Sequence, residues 1–290
     1  MTEFNEEFWK GQLFKYRPVL HPEYNPLHLI EQNKMRFSSP ASFNDPFDCK
    51  VPIDFSQSSI SKLKVYYRNL LLIPSGDHFT TMEANDIVEK DFKQNSREII
   101  ENGLAENLRN NIEQYGIFSF SSNHDSILLW SHYADKHRGF CVGFSRKKVF
   151  TWLKHKNDKL ISDCDTKYFG DIEQIRYPDD NEYPNWDFIN CFYLNDGGSI
   201  IQNVFLTKSK HWEYESEERI IYIHGANEIV QYPDELIGSV LMGCETQIEH
   251  KATIVSILKE KELKNKRHIP LFQARKSKKE FALEFIPEDY

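Results

Sequence analysis

Two carboxylates and a guanidinium at alternate positions are the residues best suited to chemistry: Glu215, Glu217 and Arg219 in Trp212-Glu213-Tyr214-Glu215-Ser216-Glu217-Glu218-Arg219, which runs into Ile220-Ile221-Tyr222-Ile223. An extended strand carries residues two apart on one face at a repeat of about 6.5–7 Å, so the spacing predicts one strand face bearing all three. Carboxylates this close disfavour joint ionisation, and one can hold and relay a proton while the other stays charged. An anionic carboxylate also stabilises an oxocarbenium-like centre, the transition state shared by cleavage of sugar C–O and C–N bonds. Arg219 would orient one carboxylate through two parallel hydrogen bonds. The same alternation also fits a surface strand whose charges pair across to its neighbours.

Three further strings supply partners for such chemistry. Lys15-Tyr16-Arg17-Pro18 ends a short apolar run, and an arginine followed by a rigid proline offers a fork that fits two phosphate or carboxylate oxygens, with Tyr16 beside it. Phe43-Asn44-Asp45-Pro46-Phe47-Asp48 reads as a tight turn closed by the Asn44 and Asp45 side chains and pinned by Phe43 and Phe47; such a loop can line a ligand pocket. Phe118-Ser119-Phe120-Ser121-Ser122-Asn123, followed by Trp130-Ser131-His132-Tyr133, brings hydroxyls to a strand end and sets Trp130 and Tyr133 on a helix as an aromatic floor for a flat heterocycle. His132 and His137 share no helical face, and neither a spaced Cys/His pair nor a G-x-S-x-G motif occurs, so no metal and no acyl-enzyme is expected.

A sheet must position these residues. Apolar alternation predicts strands at Leu13 to Arg17, Met35 to Phe37, Ile117 to Ser121, Phe140 to Phe144, Ile172 to Tyr177, Glu217 to His224 and Val240 to Met242, with a terminal pair around Ile269 to Gln273 and Phe281 to Phe285. Helices are predicted near Pro26 to Gln32, through Ser59 to Tyr115, at Leu128 to Ala134, over Trp186 to Lys210 with an interruption at Gly197-Gly198, and near Gln247 to Lys259. In the longest of these, Val88, Phe92, Ile99, Ile100, Leu104, Leu108 and Ile112 recur at helical spacing. Gly139 and Gly143 mark close backbone approaches or turns. The order lacks a regular βα alternation and any glycine-rich phosphate loop. The expected fold is therefore α+β: one elaborated domain over 1–290, with a mixed, mostly antiparallel sheet, a mainly helical insertion at about 57–115 and a second insertion at about 146–210.

Hydrophobic residues at 40% and aromatics at 14% supply a core and argue against disorder. The longest apolar runs, such as Leu70-Leu71-Leu72-Ile73, are too short to span a bilayer, and Met1 to Glu7 lacks a basic leader, so neither membrane nor secretion is expected. Five scattered cysteines, Cys49, Cys141, Cys164, Cys191 and Cys244, fit a reducing cytoplasm better than a disulfide framework. A net charge of -8 disfavours coating of nucleic acid by global electrostatics, and the late basic runs Lys259 to Arg267 and Arg275 to Lys279 read as solvated surface.

Taken together, Lys15-Tyr16-Arg17, Phe43 to Asp48, Phe118 to Ser121, Trp130 to Gly139 and Trp212 to Arg219 closely resemble the strings of a bacterial family catalogued as domain of unknown function 2971, a name that carries no activity. The block order also resembles ADP-ribosyltransferase-like enzymes, which implies a split sheet with NAD as substrate. On that resemblance Arg17 would hold the NAD pyrophosphate or ribose and Ser119 or Ser121 would order the pocket. Glu217 would engage the nicotinamide ribose, and Glu215 would orient the acceptor nucleophile. The implied cofactor-binding set is Arg17, Tyr16, Asn44, Asp45, Ser119, Ser121, Trp130 and Tyr133, around a catalytic set of Glu217, Glu215 and Arg219.

The leading expectation is thus an NAD-dependent ADP-ribosyltransferase or NAD glycohydrolase, acting as a toxin or phage-defence effector on a protein or nucleic-acid acceptor, under an inhibitory partner protein. Two rivals stand beside it. One is a metal-dependent nuclease using Asp45, Asp48, Glu215 and Glu217; the other is a non-catalytic binding or regulatory module.

Overall fold

Apolar side chains on both sides of a strand demand cover on both sides, and the strands Gln12–Arg17 and Phe140–Ser145 are buried on both faces, which makes them the centre of the sheet. The computed structural model of the protein describes residues 6–50, 52, 53, 55, 57–72, 79–162, 167–179, 189 and 197–290. The chain divides into two compact units: Met1–Ser39, Tyr115–Ile175 and His211–Tyr290 form the first, and Pro40–Gln114 with Arg176–Lys210 the second.

In chain order the elements begin with α1 (Glu6–Lys10), β1 (Gln12–Arg17), α2 (His28–Glu31) and β2 (Lys34–Arg36), followed by three helices, α3 (Ile60–Leu72), α4 (Thr81–Gln94) and α5 (Arg97–Glu113). Next come β3 (Gly116–Ser121), α6 (Ile127–Tyr133), β4 (Phe140–Ser145), α7 (Arg146–Ser162), β5 (Tyr168–Gln174) and α8 (Gly197–Phe205). The chain closes with β6 (Glu217–Ile223), β7 (Ile229–Gln231), β8 (Ile237–Met242), α9 (Ile248–Asn265), β9 (Leu271–Lys276) and β10 (Leu283–Glu288).

In the first unit, eight strands form one sheet in the order β10-β9-β8-β4-β1-β3-β6-β5, and β2 pairs with β7 apart from it. Only β8 and β9 run parallel, and α9 supplies the crossover that a parallel pair requires. The fold is α+β with a mixed, mostly antiparallel sheet, as the sequence predicts. Strand β1 pairs with β4 along its whole length, Gln12 with Ser145 through Arg17 with Phe140. With β3 it shares a single register pair, Phe14 with Ser121, and beyond it the Lys15 ammonium donates to the Ser119 carbonyl at 2.5 Å where a ladder bond would otherwise lie.

Register sorts the side chains into two faces. Leu13, Phe118, Phe120, Phe140, Val142, Phe144, Ile220 and Tyr222 join the larger apolar cluster, while Phe14, Tyr16, Cys141, Leu241 and Phe272 face the other way and are covered by Leu129 and Trp130 of α6. Gly139 and Gly143 do mark close approaches: a Cβ on Gly139 would lie 2.2 Å from the Arg17 carbonyl, and one on Gly143 2.3 Å from Gln12 Oε1.

Besides α1 and β7, which the sequence pattern does not predict, α7 and β5 differ from expectation. Helix α7 occupies a stretch whose charges mask its pattern, yet Val149, Trp152 and Leu153 fall on one helical face and are buried. Strand β5 begins at Tyr168, earlier than predicted, because Asn157 of α7 holds Phe169 through both of its backbone groups, at 2.7 and 2.9 Å. Gly197 and Gly198 open α8, where the sequence predicts an interruption; apart from Ile189, residues 186–196 of the predicted helix lie outside those described, as do Cys164 and Cys191.

In the second unit, Leu63 and Tyr66 of α3, Ala84 and Val88 of α4, and Ile100, Leu104, Leu108 and Ile112 of α5 are buried, whereas Ile99 of the predicted stripe is exposed. Thr80 and Glu83 close a reciprocal cap on α4. Among the described residues no helix is long and apolar enough to cross a membrane.

Candidate active site

The strand that would carry Glu215, Glu217 and Arg219 begins only at Glu217. Glu215 ends a 3-10 helix, Lys210–Glu215, in which the Ser216 amide reaches back to the Glu213 carbonyl at 3.0 Å. Ser216 then turns the chain with φ at 42°, in the left-handed region that non-glycine residues seldom enter. The expectation of one strand face bearing all three residues is therefore corrected: Glu217 and Arg219 share it, and Glu215 arrives from a helix end.

Glu217 and Arg219 form a bidentate pair along their own strand, Nε to Oε1 at 2.7 Å and Nη2 to Oε2 at 3.1 Å. Both are almost wholly buried, at 4% and 1% exposure, so the geometry of the carboxylate is fixed by the guanidinium fork. Ser121 stands opposite Glu217 and Ser119 opposite Arg219 in the β3–β6 register. Glu218 points to the other face and pairs with Arg146.

Glu215, equally buried, receives a hydrogen bond from the Tyr133 hydroxyl at 2.6 Å, while its backbone carbonyl accepts one from the Ser121 hydroxyl at 2.6 Å. Burial and then the Glu215 charge push the Tyr133 phenol far above its ordinary pKa, with Glu217 adding to the effect, so the phenol stays protonated and donates. Ser121 also accepts from the Asn123 amide at 2.9 Å, and the Asn123 carbonyl accepts from Tyr16 at 2.6 Å. The two serines thus sit beside the carboxylates, with Ser121 ordering the backbone around them.

Other expected residues are placed differently. Trp130 is fully buried, its N–H bonded to the His124 carbonyl at 2.8 Å and its ring edge-on to Tyr16 at 5.2 Å, so it packs the core in this conformation. Arg17 follows Tyr16 in β1 and its side chain leaves from the opposite sheet face to Glu217 and Arg219. Asn44 and Asp45 belong to the second unit, where Asp45 accepts from the Phe47 amide at 2.9 Å in the expected turn; Asn44 is exposed, and so is the Phe47 ring, which therefore does not pin the turn as expected. Asp48 of the same unit faces Lys208 at 3.7 Å. Among the described residues no group of three or more His, Cys, Asp or Glu is placed to hold a metal ion.

Lys15, beside Tyr16 in β1, is a further charged group that the sequence reading does not single out. Its ammonium stands over the Phe118 ring at 4.6 Å and enters the opening between β1 and β3. Burial, followed by the repulsion of Arg17, lowers its pKa well below the usual amine value, while Glu217 and Glu215 act in the opposite sense through the opening. A lysine alternating with buried apolar residues in a central strand was the signal available in the sequence.

Residues 129–220 match the model of a family described as a protein of unknown function, DUF2971. That stretch holds Trp130, Tyr133, Glu215, Glu217 and Arg219; the Lys15-Tyr16-Arg17 and Phe43 to Asp48 strings lie outside it. No curated protein and no solved structure matches the chain.

Proposed function

We propose that the protein cleaves the C–N glycosidic bond of NAD and passes ADP-ribose to a macromolecular acceptor or to water. The observation that carries this reading is the pair of differently held carboxylates: Glu217 fixed by Arg219, and Glu215 bonded to Tyr133, whose phenol feels both charges. Nicotinamide leaves as a neutral base with the electron pair of the broken bond, and the Glu217 carboxylate stabilises the ribosyl cation. Glu215 takes the proton of the incoming hydroxyl or water as the new bond forms, the Tyr133 hydrogen bond setting its orientation. An activity of this kind draws on a cytoplasmic NAD pool and suits a bacterial toxin or defence effector held in check by a partner protein.

Purified protein incubated with NAD, with and without cell lysate, is expected to release free nicotinamide, and Glu217→Gln to slow that release by about 100-fold or more. Tyr133→Phe, which leaves the Glu217–Arg219 pair intact, is expected to slow it without unfolding the chain. No release from the parent protein under either condition sinks the reading. A second reading then gains: the near-complete burial of Glu217 and Arg219 favours a non-catalytic module in which the pair locks the sheet. A stoichiometric complex recovered from cells with no NAD turnover would support it.

A further inference from the structure

Arg17, on the sheet face opposite Glu217, and Arg36, at the end of β2, lie against one aromatic ring. The Arg17 and Arg36 guanidinium carbons are 5.8 and 5.6 Å from the centre of the Tyr24 ring, and His21 packs on the same ring with centroids 4.2 Å apart. Both arginines are half-buried, and among the described residues neither has a carboxylate or a side-chain hydrogen-bond acceptor. Elsewhere in this unit guanidiniums are matched: Arg219 to Glu217, Arg146 to Glu218, Arg138 to Asp135 and Arg267 to Asp234.

Bringing two cations together and out of water is costly unless an anion joins them. Burial lowers the Arg17 pKa, the Tyr24 ring partly offsets this, and Arg36 lowers it further. Lys15, on the same face of β1, adds a third basic group whose own protonation Arg17 discourages. Both arginines are anchored by backbone ladders, Arg17 against Phe140 and Arg36 against Ile229, so they are held in place before any ligand arrives. Gly139, against the Arg17 carbonyl, keeps side-chain bulk away from that strand end.

We propose that Arg17 and Arg36, together with the Tyr24 ring, form a binding site for the diphosphate group of a small phosphorylated molecule. Each guanidinium fork fits two phosphate oxygens, and two forks match the oxygen pairs and charge of two linked phosphates better than those of a single carboxylate. The site does not depend on the NAD reading, because Arg17 leaves the other face of the sheet from Glu217.

Calorimetric titration of the full chain with inorganic pyrophosphate and with ADP tests the site, with adenosine as the unphosphorylated control. The parent protein is expected to bind both phosphorylated probes, more weakly as salt rises, and to ignore adenosine. Arg17→Gln and Arg36→Gln are each expected to weaken binding about tenfold or more, while Arg275→Gln, at an exposed ion pair of the sheet edge, keeps it. A rise in melting temperature of the parent protein with pyrophosphate gives a readout that needs no variant to fold. Absence of pyrophosphate binding, equal binding of adenosine and ADP, or unchanged affinity in both arginine variants overturns the site. Pyrophosphate binding without nicotinamide release leaves this site standing and removes only the NAD reading; release without pyrophosphate binding does the reverse.

Discussion

Arg219 and Arg17 issue from opposite faces of one sheet, and their surroundings differ in a way that burial alone does not explain. Arg219 is deeply buried and its carboxylate partner is two residues away on the same strand. Arg17 is less buried, yet its neighbour at the Tyr24 ring is another arginine. In the first cluster every carboxylate has a held partner: Glu217 with Arg219, Glu215 with the Tyr133 hydroxyl, and Glu218 with Arg146 beneath. The second is open. A closed cluster holds its geometry without a ligand, whereas an open one has affinity in reserve for an anion.

The comparison breaks most visibly if the closed cluster is opened. Arg219→Met leaves the Glu217 carboxylate buried without its fork and is expected to cost about 3–5 kcal/mol in denaturant unfolding. A loss below about 1 kcal/mol would mean that Glu217 is readily rehydrated and that the pair is a surface ladder after all. Next in size, Tyr133→Phe removes the 2.6 Å bond to Glu215 while keeping the ring, and is expected to cost about 1.5 kcal/mol, near the low end for a bond to a charged group because Tyr133 retains some access to water. If stability is unchanged, Glu215 finds another donor and the cluster is less closed than its geometry indicates.

The sequence made one side of this comparison more legible than the other. Alternation in Ile117 to Ser121 and Phe140 to Phe144 located two central strands, and the i, i+2 spacing of Glu217 and Arg219 placed them on one face because that segment really is extended. Glu215 broke the same rule: its position depends on a left-handed Ser216 and on bonds to Ser121 and Tyr133, 94 and 82 residues away, which no local pattern encodes. Helix α7 was hidden for a related reason, since Arg146, Lys147, Lys148, Lys154 and Lys156 surround the few apolar residues that it buries. Arg36 and Tyr24 look like ordinary surface residues in the sequence. Only the return of the chain between β1 and β2 brings them to Arg17.

The finest test lies at the opening where the two clusters meet, on Lys15. Burial holds its folded pKa well below 10.5, with Arg17 reinforcing the shift and Glu217 opposing it. Between that lowered value and 10.5 the unfolded chain binds a proton that folded Lys15 resists, so this group's contribution to stability rises with pH across the window. The contribution is complete above 10.5 and is lost as pH falls through the folded value, with a slope no steeper than about 1.4 kcal/mol per pH unit. Lys15→Met removes the titration and also the bond to the Ser119 carbonyl. The lost bond is a constant offset, so the informative quantity is the change with pH. The stability of Lys15→Met relative to the parent is expected to be greatest at the low-pH end of the window and to decline toward 10.5, measured by urea unfolding of both proteins across the neutral and alkaline range. Parallel pH curves would mean that the ammonium is hydrated through the opening and that water, rather than desolvation, sets its charge.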